Sequence, residues 1–462
     1  MNNTSPHDAV SAAPVSNSGT VEPLIERVLG PFQRFFSTNA SGGLLLLATT
    51  TVALGWANSP WAEVYHHLWE TPFSIGTPAF SLALPLHAWV NDGLMAIFFF
   101  LVGLEIKREV LVGELSTRRS AALPVAAALG GMLVPALLYA SVNVGRPGAS
   151  GWGVPMATDI AFALGILALL GNRVPSSVRV FLAALAIADD LGAVLVIAVF
   201  YTSAIDWSAL GAAGVVLLVL IGLNRAGARR PATYALLGAV LWFFMLKSGI
   251  HATIAGVLLA LAVPARTRIS EDEFLASAEA SLADFRASDE EGTTVLTNQG
   301  HQDALQSLES AADAAQSPLQ QMEHALHGVV AFFIMPIFAL ANAGVSLGAD
   351  LGAAASDPIA IGVVLGLLLG KPIGITLASV LAVRSGAADL PSGASWGHVH
   401  GAAWLGGIGF TMSLFIAGLA FKSAAQLDIA KLAVLGASTL AGVVGYSLLR
   451  LGVGVRPTAA ER

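Results

Sequence analysis

Long apolar runs separated by short polar clusters dominate the chain from residue 41 onward. They lie near 41–58, 87–106, 121–142, 151–170, 177–201, 208–224, 232–248, 249–264, 325–345, 358–381, 401–420 and 432–452. Most approach the roughly 20 residues that an α-helix needs to cross a bilayer, so the pattern predicts an all-α polytopic membrane protein with twelve transmembrane helices. The seventh and eighth are barely separated, around 247–251. Two stretches depart from this rhythm. Residues 73–84 hold two short alternating segments around Gly76, Thr77 and Pro78, which reads as a small β-hairpin. Its exposed edge either pairs with a copy of itself or stays an isolated loop feature. Between 271 and 320 there are 11 acids against one base, Arg286. Ser270 with Glu273 fits a capping box there. Phe274, Leu275, Ala278, Leu282 and Phe285 follow at helical spacing, so an amphipathic helix is expected, with a second around 304–315. The segment is either a solvated connection or a regulatory element.

Composition agrees with the membrane reading: 55% apolar residues, 11% charged residues and a mean hydropathy of +0.73 lie outside the range of a soluble domain. Zero cysteines exclude disulfides, thiolate metal sites and cysteine nucleophiles. Residues 1–22 are rich in Ser, Asn, Pro and Ala without a basic region leading into an apolar core, so a cleaved signal peptide is not expected. Basic residues then orient the chain, because short cytoplasmic loops concentrate Lys and Arg. With twelve spans and both termini cytoplasmic, 18 of the 23 lysines and arginines fall inside, four fall outside and Lys371 stays within a span. The expected order is a cytoplasmic tail over 1–40, helices one to eight over 41–265, the acidic cytoplasmic insert over 266–320, helices nine to twelve over 321–453 and a cytoplasmic tail over 454–462. The partner this implies is the lipid bilayer, with no nucleic acid.

The few charges at membrane depth carry the chemistry. Asp189 and Asp190 sit in the middle of the apolar run 181–200, and ionised carboxylates do not stay there without a cation. Adjacent helix positions point about 100° apart, so the pair flanks a cavity where several helices meet, unless it is a structurally paired buried doublet. Asp159 follows Gly151, Gly153 and Pro155, which weaken a helix that restarts at Thr158 and Asp159. It is a helix cap, an ion ligand or both, and Thr158 adds an oxygen. Residues 401–413 form a second glycine-interrupted span. Two such breaks in corresponding halves point to inverted repeats with a midplane site, or to close packing through small residues. Lys371, the lone base within a span, either neutralises an aspartate or snorkels to the interface. Asp92 reads as an interfacial cap. Glu105, beside Lys107 and Arg108, reads as a local ion pair or as part of a charged funnel. Glu323, His324 and His327 open the span after the insert as a pH sensor or as a polar helix start. His251 reads as a satisfied packing histidine.

Seven motifs carry a resemblance to the NhaA family of bacterial sodium/proton antiporters: FFFLVGLEIKRE at 98–109, ATDIAFALG at 157–165, ALAIADDLGA at 184–193, LKSGIHAT at 246–253, FALANAGVSL at 338–347, GKPIG at 370–374 and GIGFTMS at 407–413. They recur in consistent order over roughly residues 38–452. Inverted repeats and broken helices are themselves described for that family, so the two readings are not independent. The resemblance implies a twelve-helix secondary transporter of the bacterial inner membrane, not an enzyme, expelling Na⁺ or Li⁺ in exchange for H⁺, electrogenic and pH-regulated. No cofactor is implied beyond the transported ions. Asp189 and Asp190 would bind the ion and proton, and so would be the ligands of the transported metal. Asp159 and Thr158 would stabilise the crossing of two broken helices, and Lys371 would pair with Asp189. Glu105, Glu323, His324 and His327 would belong to the pH-sensing region, and the periplasmic hairpin near 71–85 would make a homodimer contact. Two departures, Gly328 in place of an expected proline and the long acidic insert, bear on the pH profile.

Other classes are less compatible. An intramembrane aspartyl protease also uses two membrane aspartates, but its Tyr-Asp and Gly-x-Gly-Asp motifs do not occur here. A channel or a sodium/solute symporter is the closer rival, and a solute requirement for sodium flux would mark the symporter.

Overall fold

The computed structural model describes residues 41–77, 80–202, 205–289, 294–346 and 351–451. Helices dominate it. The first half of the chain holds α1 (Ser41–Ala57), α2 (Ala62–Glu70), α3 (Met95–Val112), α4 (Arg118–Asn143), α5 (Ile160–Leu169), α6 (Ser176–Phe200), α7 (Trp207–Arg225), α8 (Pro231–Ser248) and α9 (Ile254–Ala262). The acidic segment holds α10 (Glu271–Ala287) and α11 (Gln299–Ala315). The remainder holds α12 (Pro318–Val329), α13 (Met335–Asn342), α14 (Pro358–Leu365), α15 (Lys371–Arg384), α16 (Trp396–Leu405), α17 (Phe410–Ala420) and α18 (Ala424–Leu451). Among the described residues, eight helical stretches are long and apolar enough to cross a membrane, and α16 with α17 forms a further pair bent by 46° at its break.

The lipid-facing side follows from helical spacing. On α4, Leu129, Leu133 and Leu137 are exposed at four-residue intervals, while Ala127, Ala128 and Met132 are buried. The inner side is packed through glycine: a Cβ on Gly374 of α15 would lie 2.1 Å from the Gly130 carbonyl oxygen of α4. That contact brings the helix carrying Lys371 against α4 at backbone distance. Three helical stretches contain a single π turn, at Trp89–Leu94, Val330–Ile334 and Gly366–Gly370. The last immediately precedes Lys371. One extra residue in a turn rotates everything beyond it, and such turns recur at functional sites.

Some expectations are modified. Helix α9 has only nine residues, a rise of about 13 Å, so it alone cannot cross the bilayer core. Asp92 does not cap a helix. The chain is already helical from Leu86, and Asp92 sits inside the π turn, where its carbonyl accepts from Trp242 Nε1 at 2.7 Å.

The predicted hairpin is present as β1 (Pro72–Thr77) and β2 (Phe80–Pro85), antiparallel, with Pro72 opposite Pro85 and Thr77 opposite Phe80. Gly76 and Thr77 belong to β1, and Pro78 of the expected turn lies outside the described residues. Trp89 Nε1 donates to the Phe73 carbonyl at 2.9 Å and ties the hairpin to the next helix.

The acidic segment forms two packed helices. Ser270 and Glu273 make the expected capping box at the start of α10. Phe285 stacks on His301 at 4.1 Å between ring centroids. Leu275 and Leu282, expected on the same stripe as Phe274, instead point outward at 56% and 48% exposure. They lie about 100° further round the helix than Phe274 and Ser281, which is outside the narrow face that one partner helix covers. The hairpin leaves and rejoins the membrane part at one place, since Leu319 N donates to the Pro264 carbonyl at 3.2 Å and Arg268 N to that of Ala314 at 2.9 Å. Replacing residues 271–315 with a short Gly-Ser linker is therefore expected to leave the thermal midpoint of the purified protein within a few degrees. A collapse into aggregate on size-exclusion chromatography would contradict this.

Candidate functional site

Two interrupted helical stretches meet at their breaks. The first enters as a 3₁₀ segment (Ala149–Met156), opens over 157–159 and resumes as α5; the second runs through α16, opens over 406–409 and resumes as α17. A Cβ on Gly407 would lie 2.6 Å from the Leu367 carbonyl oxygen, so the second break needs glycine to pass that close to the neighbouring span. Backbone groups freed at one break are satisfied at the other. Asp159 N donates to the Ile408 carbonyl at 2.6 Å, and Thr158 Oγ1 donates to the Gly406 carbonyl at 2.8 Å.

Asp159 caps two helices at once. Its Oδ1 accepts from Phe162 N at 3.0 Å at the start of α5, and its Oδ2 accepts from Thr411 N at 3.0 Å at the start of α17, with Thr411 Oγ1 donating to the same oxygen. Ser438 Oγ accepts the neighbouring Phe410 N at 3.0 Å. The first amides of a helix have no internal acceptor and carry its positive dipole end. One carboxylate between two such ends stabilises both. The capping reading of Asp159 is thus realised, and Thr411 is its unforeseen partner. The available signal was a hydroxyl two residues after the Gly-Ile-Gly break, which is also where a helix would restart.

Asp189 and Asp190 project from the middle of α6 and are 0% and 1% exposed. Lys371 is 0% exposed, and its Nζ donates to Asp189 Oδ2 at 2.5 Å and to Thr158 Oγ1 at 2.9 Å. It does not snorkel. The π turn before it and the close α4–α15 contact keep its side chain inside. In this cluster two buried carboxylate oxygens, Asp189 Oδ1 and Asp190 Oδ1, have no hydrogen-bond partner among the described residues. Buried acceptors left so are expensive unless another ligand is taken. Among the buried described residues, three carboxylates stand against one ammonium, with no arginine. Lys371 balances Asp189, and the two helix ends offset Asp159. Among the described residues, Asp190 is left without a balancing charge of its own.

This cluster is structurally interdependent, which predicts the effect of Thr411→Val. The change removes the hydroxyl that donates to Asp159 Oδ2 and leaves the amide bond in place. A loss of about 1–2 kcal/mol in unfolding free energy is expected, and a midpoint equal to wild type would contradict the double-cap assignment.

Glu105, Glu323, His324 and His327 lie where α3 meets α12, and no hydrogen bond or ion pair among the described residues joins them to Asp189, Asp190 or Lys371. Glu105 does not pair with its neighbours on α3. Arg108 pairs instead with Glu323 at 2.7 Å, and Lys107 Nζ donates to the carbonyls of Leu261, at 2.7 Å, and Val263 at the end of α9. Each long side chain follows the direction of an acceptor on another helix. Glu105 Oε1 faces His327 Nδ1 at 3.9 Å, and His324 is exposed. His251 Nε2 lies 2.9 Å from the Tyr201 carbonyl, a satisfied packing contact as expected.

Comparison with known proteins places this arrangement. Residues 33–449 match the sequence profile described as Na+/H+ antiporter 1. The Na(+)/H(+) antiporter NhaA of Oleidesulfovibrio alaskensis is 52% identical over 445 residues, covering 96% of this chain and 97% of the relative. Na(+)/H(+) antiporter NhaA 2 of Sorangium cellulosum is 51% identical, covering 92% and 90%. Na(+)/H(+) antiporter NhaA 1 of Saccharophagus degradans is 49% identical, covering 92% of each chain. With its multiple apolar helices, the chain is a multi-pass membrane protein and belongs to the Na+/H+ antiporter 1 family.

Proposed function

We propose that this protein exchanges cytoplasmic Na⁺ or Li⁺ for external H⁺ across the bacterial inner membrane, as a twelve-span transporter with inverted repeats and both termini in the cytoplasm. The observation that carries the reading is the pair of unpartnered buried oxygens on Asp189 and Asp190 beside a single buried ammonium. Cation and proton compete for these oxygens. With the cytoplasm alkaline, the carboxylates lose protons and take the metal ion, with Lys371 released from Asp189. The loaded site then turns outward, and external protons displace the ion. Asp159 and Thr158 hold the two helix breaks together while this happens. Bringing in more positive charge as protons than leaves as sodium makes the cycle electrogenic.

Glu105, Glu323, His324 and His327 form the pH-responsive surface in this reading, because α3 and α12 are held together there by Arg108 and Glu323. The open edge of the hairpin near 71–85 pairs with a second copy to form a homodimer.

Reconstitution tests the assignment. In proteoliposomes holding an acid-inside pH gradient, added Na⁺ or Li⁺ should collapse the gradient, faster when a membrane potential of the driving sign is imposed. No response to either ion would contradict exchange. A response that needs an added organic solute would indicate symport.

A further inference from the structure

His400 lies on α16, six residues before Gly406, and both of its ring nitrogens are engaged. Trp404 Nε1 donates to His400 Nε2 at 3.1 Å, and His400 Nδ1 lies 2.9 Å from Thr376 Oγ1. An indole N–H is a donor only. Nε2 is therefore the acceptor, so in the neutral ring Nδ1 carries the proton and donates to Thr376.

Thr376 stands on α15, five residues beyond Lys371. The bond therefore closes a ring. Lys371 Nζ donates to Thr158 Oγ1, Thr158 donates to the Gly406 carbonyl at the end of α16, and α16 returns to α15 through His400. Beside this strap, a Cβ on Gly406 would lie 2.8 Å from Ile375 Cδ1, so the two helices are in direct contact between the bond and the break. His400 and Thr376 bond to each other, and the bond from α15 to Asp189 is made by Lys371. Their influence on the site runs through the placement of Lys371.

We propose that His400 is a positioning residue: by tying α15 to α16 it holds Lys371 on Asp189, and so sets how strongly the ammonium competes with sodium. This rests on the exchange reading above. Its sign is diagnostic. General damage to the site weakens sodium binding, whereas loosening only the internal competitor strengthens it.

The test is equilibrium binding of ²²Na⁺ to the purified full-length chain in detergent at one alkaline pH. His400→Phe keeps a ring and loses both bonds, and Thr376→Val is nearly isosteric and loses one. Each is expected to lower the sodium dissociation constant about 2- to 10-fold, the range that one or two net hydrogen bonds cover. His400→Gln supplies an amide donor and acceptor and should bind within about twofold of wild type. In a Lys371→Met background, adding His400→Phe should change nothing further, since the competitor is already gone. Should His400→Phe not fold, Thr376→Val carries the test. Unchanged or weaker binding in the Phe and Val variants, with normal wild-type binding, overturns this inference alone. No sodium binding by the wild type overturns the exchange reading with it.

Discussion

Asn in place of either Asp189 or Asp190 is expected to abolish sodium-driven proton movement while leaving a folded protein. The carboxamide is close in shape to the carboxylate, so packing at these fully buried positions is retained. The exchangeable charge is not. Asp190 has no basic partner of its own, and a neutral amide there removes the need for either a proton or a metal ion. At Asp189 the amide also strands Lys371, whose remaining bond is to Thr158. In the proposed cycle every turnover uses this interaction, so its removal should reduce exchange by at least two to three orders of magnitude, about 3–4 kcal/mol or more in rate terms. The check is sodium-evoked proton movement in everted vesicles, with monodispersity and thermal midpoint as the folding control. Wild-type rates in either variant would contradict the assignment of the doublet.

Lys371→Met is expected to have the largest effect on stability. Breaking a fully buried ion pair by deleting one partner costs about 3–5 kcal/mol, because the surviving charge stays buried without compensation. The geometry here is of that kind, with Nζ 2.5 Å from Asp189 Oδ2 and both residues at 0% exposure. A marked fall in thermal midpoint should follow. Two further results separate charge from packing. Adding Asp189→Asn to Lys371→Met should recover most of the loss, since no uncompensated charge remains. Sodium should raise the midpoint of Lys371→Met more than that of wild type, because the ion takes the place of the ammonium. Equal midpoints for Lys371→Met and wild type would show that the pair contributes nothing to the fold.

What was legible in the chain, and what was not, follows from how local each signal is. The aspartate doublet and Lys371 stand out because a charge within an apolar run is anomalous whatever surrounds it. Asp159 could be read as a cap from the glycines and proline just before it. Its second role was hidden, because the bond to Thr411 joins residues 252 apart. No local pattern encodes that crossing. Side-chain partner choice failed for the same reason at Glu105, Lys107 and Arg108, whose nearest neighbours in sequence are not their partners in space. The acidic helices were predicted from a capping box and apolar spacing, yet the direction of Leu275 and Leu282 depends on the width of the partner's face. The π turn before Lys371 had no sequence signal beyond two glycines. That turn nevertheless precedes the residue whose orientation decides whether the site holds an internal cation.

The proposed exchange rests on charge balance among the buried described residues: three carboxylates stand against one ammonium and two helix ends, and the proposal assigns the remaining charge to one exchangeable cation. Calorimetric titration of sodium into the purified chain, repeated in buffers of different ionisation enthalpy, counts the protons released on binding. The account predicts proton release on sodium binding to wild type, and loss of both sodium binding and release in Asp190→Asn. Saturable sodium binding to wild type with no proton release would contradict it.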